Sequence, residues 1–235
     1  MNKKEIKAKV RLGVFWFVLI TSFIAIATSI HLKVNGYKIN WQTLEFVQTG
    51  MISLDSVPDS AEVKINGKVE SQTLPKKIRD LAPGYYDITV SASNYRPWQK
   101  TVLVQSGKAS LYQNIVLFLE NPEEVALPTN ITADNIKNDF QNQTRNLKIS
   151  GSEIYFQDKL ITRFAQNISG AILFSDNSHI VFQQNDEIAV VDIDGSNSQL
   201  LIKLSSSAPT SFTLKNNGRT IYYLDQDKIM GKNIN

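Results

Sequence analysis

Ala61-Glu62-Val63-Lys64-Ile65-Asn66-Gly67-Lys68 decides how the middle of this chain folds. Ala61, Val63 and Ile65 alternate with Glu62 and Lys64, so an extended backbone puts the two sets on opposite faces, one buried and one solvated. Asn66-Gly67 then supplies two successive residues that tolerate positive φ, as a type I′ hairpin turn requires. Working outward, Ile52 and Leu54 alternate with Ser53 and Asp55, and Pro58 separates that strand from the next. Ala61 is small where the chain must turn closely over a core. Downstream, Pro83-Gly84 fits the central pair of a type II turn. Tyr86, Ile88 and Val90 begin another alternating strand, Val102 and Val104 lie on the next, and Ser106-Gly107 turns it. Leu111 to Leu119 is apolar enough to expect cover on both faces. Short strands separated by turn signals predict an antiparallel β-sandwich over residues 50–120.

These residues resemble the PEGA domain, a small β-sandwich of bacterial and archaeal envelope proteins. The name motif reads Pro58-Asp59-Ser60-Ala61, identical at two of four positions. The rest is closer: Val63-x-Ile65-Asn66-Gly67-Lys68, Thr73, Pro75, and Leu81-x-Pro83-Gly84-x-Tyr86. Asn94-Tyr95 stands where the family usually has Gly-Tyr, and Asn also tolerates left-handed geometry. Trp98 follows at the usual place. The resemblance implies the fold and an exported location, and brings no catalytic residue. Gly67, Pro83 and Gly84 serve backbone geometry. Trp98 is expected as a core or sheet-edge aromatic ahead of a ligand platform.

Upstream, Leu12 to Leu32 runs 21 residues without Lys, Arg, Asp or Glu. At about 1.5 Å per residue, a helix of this length matches a hydrocarbon core of roughly 30 Å. Lys3, Lys4, Lys7, Lys9 and Arg11 precede it against Glu5 alone. Basic residues are retained on the cytoplasmic side, which predicts a single-pass protein of the cytoplasmic membrane, with residues 1–11 inside and 33–235 outside. Ala25-Ile26-Ala27 matches a signal-peptidase pattern, but the apolar run continues past the usual h-region. An uncleaved anchor is expected, with cleavage after Ala27 as the alternative. In the juxtamembrane segment 33–49, Tyr37 and Trp41 suit either the outer membrane interface or packing on the next domain.

Without residues 1–11 the chain holds 20 Lys and Arg against 21 Asp and Glu, so the sequence pI of 8.9 belongs to the tail. A near-neutral body argues against nucleic acid as partner. The chain has no cysteine, which excludes disulfides and thiolate metal sites.

Residues 121–148 read as a polar linker with one short helix around Ile131, Ile136 and Phe140, its Asp134 and Asp139 solvated. Residues 149–235 turn to β again, in runs such as Ile154-Tyr155-Phe156, Ile172-Leu173-Phe174 and Ile188-Ala189-Val190-Val191. His179-Ile180-Val181-Phe182 followed by Asp186-Glu187-Ile188 parallels Thr220-Ile221-Tyr222-Tyr223 followed by Asp227-Lys228-Ile229. The spacing falls in the range of a β-propeller blade. Asp192-Ile193-Asp194-Gly195 reads as a turn between two blade strands. The pattern is similar to Tol-type periplasmic propellers over about two blades, fewer than the four to eight that close. A truncated relative, completion by a partner and an independent β-domain all satisfy it. The expected fold class is therefore an all-β ectodomain, PEGA-like sandwich plus propeller-blade-like antiparallel sheets, behind one N-terminal transmembrane helix.

Motifs for a nucleophile elbow, a P-loop or a zinc helix are missing. Asp192-x-Asp194-Gly195 resembles the start of a calcium loop, but its twelfth position is Lys203, so an EF-hand is rejected. No catalytic residue, metal or cofactor is assigned. The expected role is non-enzymatic binding or scaffolding at the envelope. The lipid bilayer is one partner, with cell-wall polymer or another envelope protein as ligand. Tyr85, Tyr95, Trp98 and Tyr112 are the candidate contact rings, since aromatics stack on sugars and anchor interfaces. One alternative is a sensor ectodomain working through a membrane partner. Another is a hydrolase, which requires a polar pocket gathering Asp176, His179 and Asp194.

Overall fold

The structure, a computed structural model, describes residues 3–40 and 44–235; Trp41 lies outside them. Helix α1 (Lys3–Val34) leads into strands β1 (Tyr37–Asn40) and β2 (Glu45–Gln48). Seven strands follow: β3 (Gly50–Val57), β4 (Glu62–Ile65), β5 (Lys68–Ser71), β6 (Lys76–Leu81), β7 (Gly84–Ser91), β8 (Trp98–Val104) and β9 (Ala109–Val116). After β10 (Glu123–Glu124) comes helix α2 (Ala133–Thr144). The remainder is β11 (Leu147–Ser150), β12 (Glu153–Phe156), β13 (Lys159–Arg163), β14 (Gly170–Leu173), β15 (His179–Gln184), β16 (Glu187–Asp192), β17 (Gln199–Lys203), β18 (Phe212–Lys215), β19 (Thr220–Asp225) and β20 (Lys228–Asn233). The sheets run β1-β2, β6-β3-β9, β5-β4-β7-β8, β11-β12-β13, β14-β15-β16-β17 and β10-β20-β19-β18, none of them closed among the described residues.

The chain forms two compact units, one drawn from residues 1–53, 77–85 and 103–111, the other from 54–76, 86–102 and 112–235. In the first, the Arg11–Val34 part of α1 is long and apolar enough to cross a membrane. Gly36 stops the helix in the left-handed region at φ 73°, its N–H on the Lys33 carbonyl, a conformation a Cβ disfavours. The Thr49 N–H and hydroxyl both donate to the Gly36 carbonyl at 2.7 Å, closing the β1–β2 hairpin onto the helix end.

In the second unit the β4–β5 hairpin follows its sequence pattern. Ala61, Val63 and Ile65 are buried, and Asn66 and Gly67 take φ 49° and 79°. Asn94 is left-handed too, at φ 69°. Three local expectations change. Ser53 is buried and Met51 and Asp55 are half-buried opposite the Ile52–Leu54 face, so the second face of β3 is partly covered rather than solvated. Gly84 has φ 155°, far from the roughly 80° of a type II turn, so Pro83-Gly84 is an extended entry into β7. Leu111 is exposed, and burial is confined to the end of its run, Ile115 to Phe118. Val116 and Phe118 pack into an apolar cluster with Phe174, Phe212 and Ile221 of the C-terminal sheets, so the end of β9 serves that core.

The C-terminal sheets stack as layers because their strands are buried on both faces. From β14–β17, Ile172, Val181, Ile188 and Val190 point into the cluster shared with β18–β20. Their neighbours Ala171, Ile180, Phe182 and Val191 point the other way, against Ile154 and Leu147 of β11–β13. The period-two split repeats in β19: Ile221 and Tyr223 face inward, while Tyr222 and Leu224 face Ile136 of α2. The region expected as a linker thus supplies both a covering helix and a strand, since β10 pairs with β20 through Glu123↔Asn233 and Glu124↔Lys232. Asp139, expected to be solvated, accepts from Lys215 Nζ at 2.7 Å.

Several glycines in these layers have no room for a side chain, Gly218 most plainly. Gly218 sits at φ 85°, and a Cβ there would collide with Cζ of buried Phe174. Left-handed geometry costs an L-residue about 1–2 kcal/mol and overpacking typically about 1–3 more. Gly218→Ala should therefore lose about 2–5 kcal/mol of stability, read as an unfolding midpoint; a loss within a few tenths would contradict this packing.

Candidate functional site

The richest polar cluster lies where β8 meets the turn between β16 and β17. That turn is built locally. Gly195 takes φ 85° and donates its N–H to the Asp192 carbonyl, and the Ser196 N–H donates to Asp194 Oδ1. Both carboxylates then face β8. Trp98 Nε1 donates to Asp192 Oδ2 at 3.0 Å, and Asn197 Nδ2 donates to the same oxygen at 2.9 Å. The Gln99 N–H donates to Asn197 Oδ1 at 3.0 Å, and Lys100 Nζ pairs with Asp194 Oδ2. Gln199 Nε2 reaches the Pro97 carbonyl at 3.3 Å. These bonds button the edge strand of the β5-β4-β7-β8 sheet to the C-terminal sheets.

Burial pushes the Asp194 carboxyl up, but the Lys100 ammonium and the Ser196 hydroxyl and N–H more than offset it, and its pKa ends below the usual 3.8. A carboxylate held low contributes stability above its unfolded pKa and loses it as pH falls through the folded value. Lys100→Met should therefore lower the urea midpoint at pH 7, with the gap to the parent closing below about pH 4. A gap that stays constant into acid would remove Lys100–Asp194 as its source.

Of the four candidate rings, Trp98 and Tyr112 come together, centroids 5.9 Å apart, with Lys100 Nζ 5.9 Å and 5.6 Å from the two rings. Burial, with a smaller contribution from Asp194, raises the Tyr112 pKa against the lowering effect of Lys100. Trp98 is only 4% exposed, so its ring is a fastening rather than an open ligand platform. Tyr95 is half-buried and bridges to Leu119. Tyr85 is exposed and belongs to the first unit.

His179 is 2% exposed, between two carboxylates. Its Nδ1 bonds Asp176 Oδ2 at 2.8 Å, Nε2 lies 3.4 Å from Asp192 Oδ1, and Phe118 and Phe174 pack edge-on against the ring. Asp194 is turned to Lys100 instead. The hydrolase grouping of Asp176, His179 and Asp194 is therefore not assembled, and the buried imidazole is bonded through Nδ1 to Asp176. Among the described residues no three His, Asp or Glu side chains converge as a metal site.

An open cleft of about 450 Å³ lies nearby in the same unit. Asp55, Asn114, Asp176, Asn217 and Arg219 line it over a floor that includes Phe174. Hydrogen-bonding groups of both charges around an apolar floor suit a polar organic ligand better than a hydrocarbon. No sequence pattern announces this cleft, because its residues come from strand ends and turns far apart in the chain. The left-handed residues Asn177, Asn216 and Asn217, which shape two of those turns, are the only local trace.

The strands from β3 to β9 now have a counterpart among known proteins. Residues 49–116 match the PEGA domain family. PEGA domains are extracellular or periplasmic domains of unknown function. No curated protein matches the chain. The PEGA match stops at Val116, the first residue of this strand to pack into the C-terminal core.

Proposed function

We propose that this chain is a non-enzymatic binding or scaffolding protein of the cell envelope. It is held in the cytoplasmic membrane by α1, with its N-terminus inside and its β body outside. The PEGA match carries this reading. The basic residues before an apolar span support the orientation. The two sheets of the PEGA region, with Ile52, Val63, Ile88 and Val102 buried, suit a sandwich. The C-terminal sheets suit an open run of propeller-like blades: β15 and β19, and likewise β16 and β20, begin 41 residues apart. The buttoning through Trp98 and Lys100 makes the PEGA sheet and these layers one presenting body, and the cleft beside Phe174 offers the place for cell-wall polymer or a protein segment.

The test is retention of the detergent-solubilised full chain on purified peptidoglycan and on immobilised membrane extract. Arg219→Ala, on the cleft rim, is expected to weaken retention without changing the unfolding midpoint. Folded protein that passes through both supports unretained would sink the binding role. Protease added to spheroplasts checks the orientation: the body should be digested while a cytoplasmic marker survives.

A further inference from the structure

The first unit carries an apolar surface that the reading above leaves unused. Strands β1 and β2 pair with Ile39 opposite Phe46 and Tyr37 opposite Gln48, so Tyr37, Ile39 and Phe46 share one face. That face is open: Tyr37 is 36%, Ile39 41% and Phe46 56% exposed, and Leu44 beside them is 73% exposed. With Ala25, Ser29 and Leu32 of α1 it encloses a groove of about 490 Å³. Ala25 lies seven residues before Leu32, the end of the apolar run, which is about 10 Å along a helix. Side chains that share a groove with Ala25 therefore reach below the level at which the helix leaves the hydrocarbon. Lys33, Lys38 and Asp80 also line it, with Lys38 Nζ donating to the Asp80 carbonyl at 3.0 Å. Two ammonium groups against the single Asp80 carboxylate leave the charged part of the lining net positive.

We propose that the β1–β2 hairpin is a membrane foot. Its Tyr37–Ile39–Phe46 face lies in the outer leaflet, and the groove against α1 takes an acyl chain of a phospholipid whose phosphate sits at Lys33 and Lys38. The apolar face shares its groove with Ala25 and Leu32 of the apolar stretch of α1. The net positive charge of the groove lining complements a phosphate layer, and aromatic side chains partition to that depth. The inference rests on α1 spanning the membrane. It adds that the hairpin, and not the helix alone, is seated in the membrane.

The chain has no cysteine, so single-cysteine variants report without background. Phe46→Cys, Glu45→Cys on the opposite face and Phe23→Cys within α1 are labelled with a nitroxide. Each is placed in vesicles of phosphatidylethanolamine and phosphatidylglycerol and probed with oxygen, which concentrates in lipid, and with a water-soluble nickel chelate. The labels at Phe46 and Phe23 should collide several-fold more with oxygen than with nickel, and the label at Glu45 the reverse. A Phe46 label that behaves like Glu45 while Phe23 stays in lipid overturns the foot and leaves the anchor standing. A Phe46 label shielded from both reagents overturns it in favour of a protein cover. Nickel access at Phe23 overturns the span, and the foot with it.

Discussion

Trp98→Ala should cost about 3–5 kcal/mol, the range for removing a large buried aromatic. It should also loosen two sheets rather than one. The indole is buried in β8, and its N–H is one of the donors that hold Asp192. Removing it leaves a cavity on one side of the contact and a carboxylate short of a donor on the other. Trp98→Phe separates the two effects. It keeps a ring but drops the hydrogen bond, so about 1.5–3 kcal/mol is expected, the range for a bond to a charged group. Hydrogen exchange on the full chain in detergent locates the damage. Amides of β16 and β17 should lose protection with those of β8, because the Gln99–Asn197 and Lys100–Asp194 contacts depend on the same alignment. Protection lost in β8 alone would make Trp98 an internal core residue of the PEGA sheet and nothing more.

Local features of the fold were legible because their causes are local. Alternation from Ala61 to Ile65 and the Asn66-Gly67 turn fix the β4–β5 hairpin through backbone geometry alone, and the uncharged run Leu12–Leu32 needs only its length. The turn at Asp192–Gly195 was legible for the same reason. What those carboxylates hold was not, because Trp98 and Lys100 stand more than ninety residues away in the chain. Leu111–Leu119 shows the limit from the other direction. Its composition announces burial, but only contacts with Phe174 and Phe212 reveal that its end belongs to the next core. That Trp98 and Tyr112 pack together with Trp98 buried was not legible either, because ring chemistry is the same whether a tryptophan faces water or an aspartate.

Helix α2 runs through Ile136 and Phe140, and Ile136→Ala tests why it forms. The helix is polar overall, and its start is set by Thr132, whose hydroxyl accepts the Asn135 N–H. One stripe carries its stability: Ile136, fully buried against Tyr222 and Leu224, and Phe140, 4.9 Å from the Phe212 ring. The expected loss is about 2–5 kcal/mol. The Asp139–Lys215 pair on the same helix is over a third exposed on its lysine side, so Lys215→Met should cost less than about 1 kcal/mol. The contrast matters for the array of sheets. A layered stack that does not close must finish each end without a bare apolar face. At β11–β13 the outer face is polar, with the Tyr155 hydroxyl and Arg163 both on Glu153 and Lys148 over the Tyr155 ring. At β18–β20 the outer face is Tyr222 and Leu224, and α2 covers it. Ile136→Asp should therefore do more than destabilise. With its cover lifted, that sheet face becomes a sticky patch, and sedimentation of the detergent-solubilised variant should show concentration-dependent association that Lys215→Met does not. If the variant stays monomeric with α2 detached, the Tyr222–Leu224 face does not need its cover, and the account of how an open stack remains soluble is wrong.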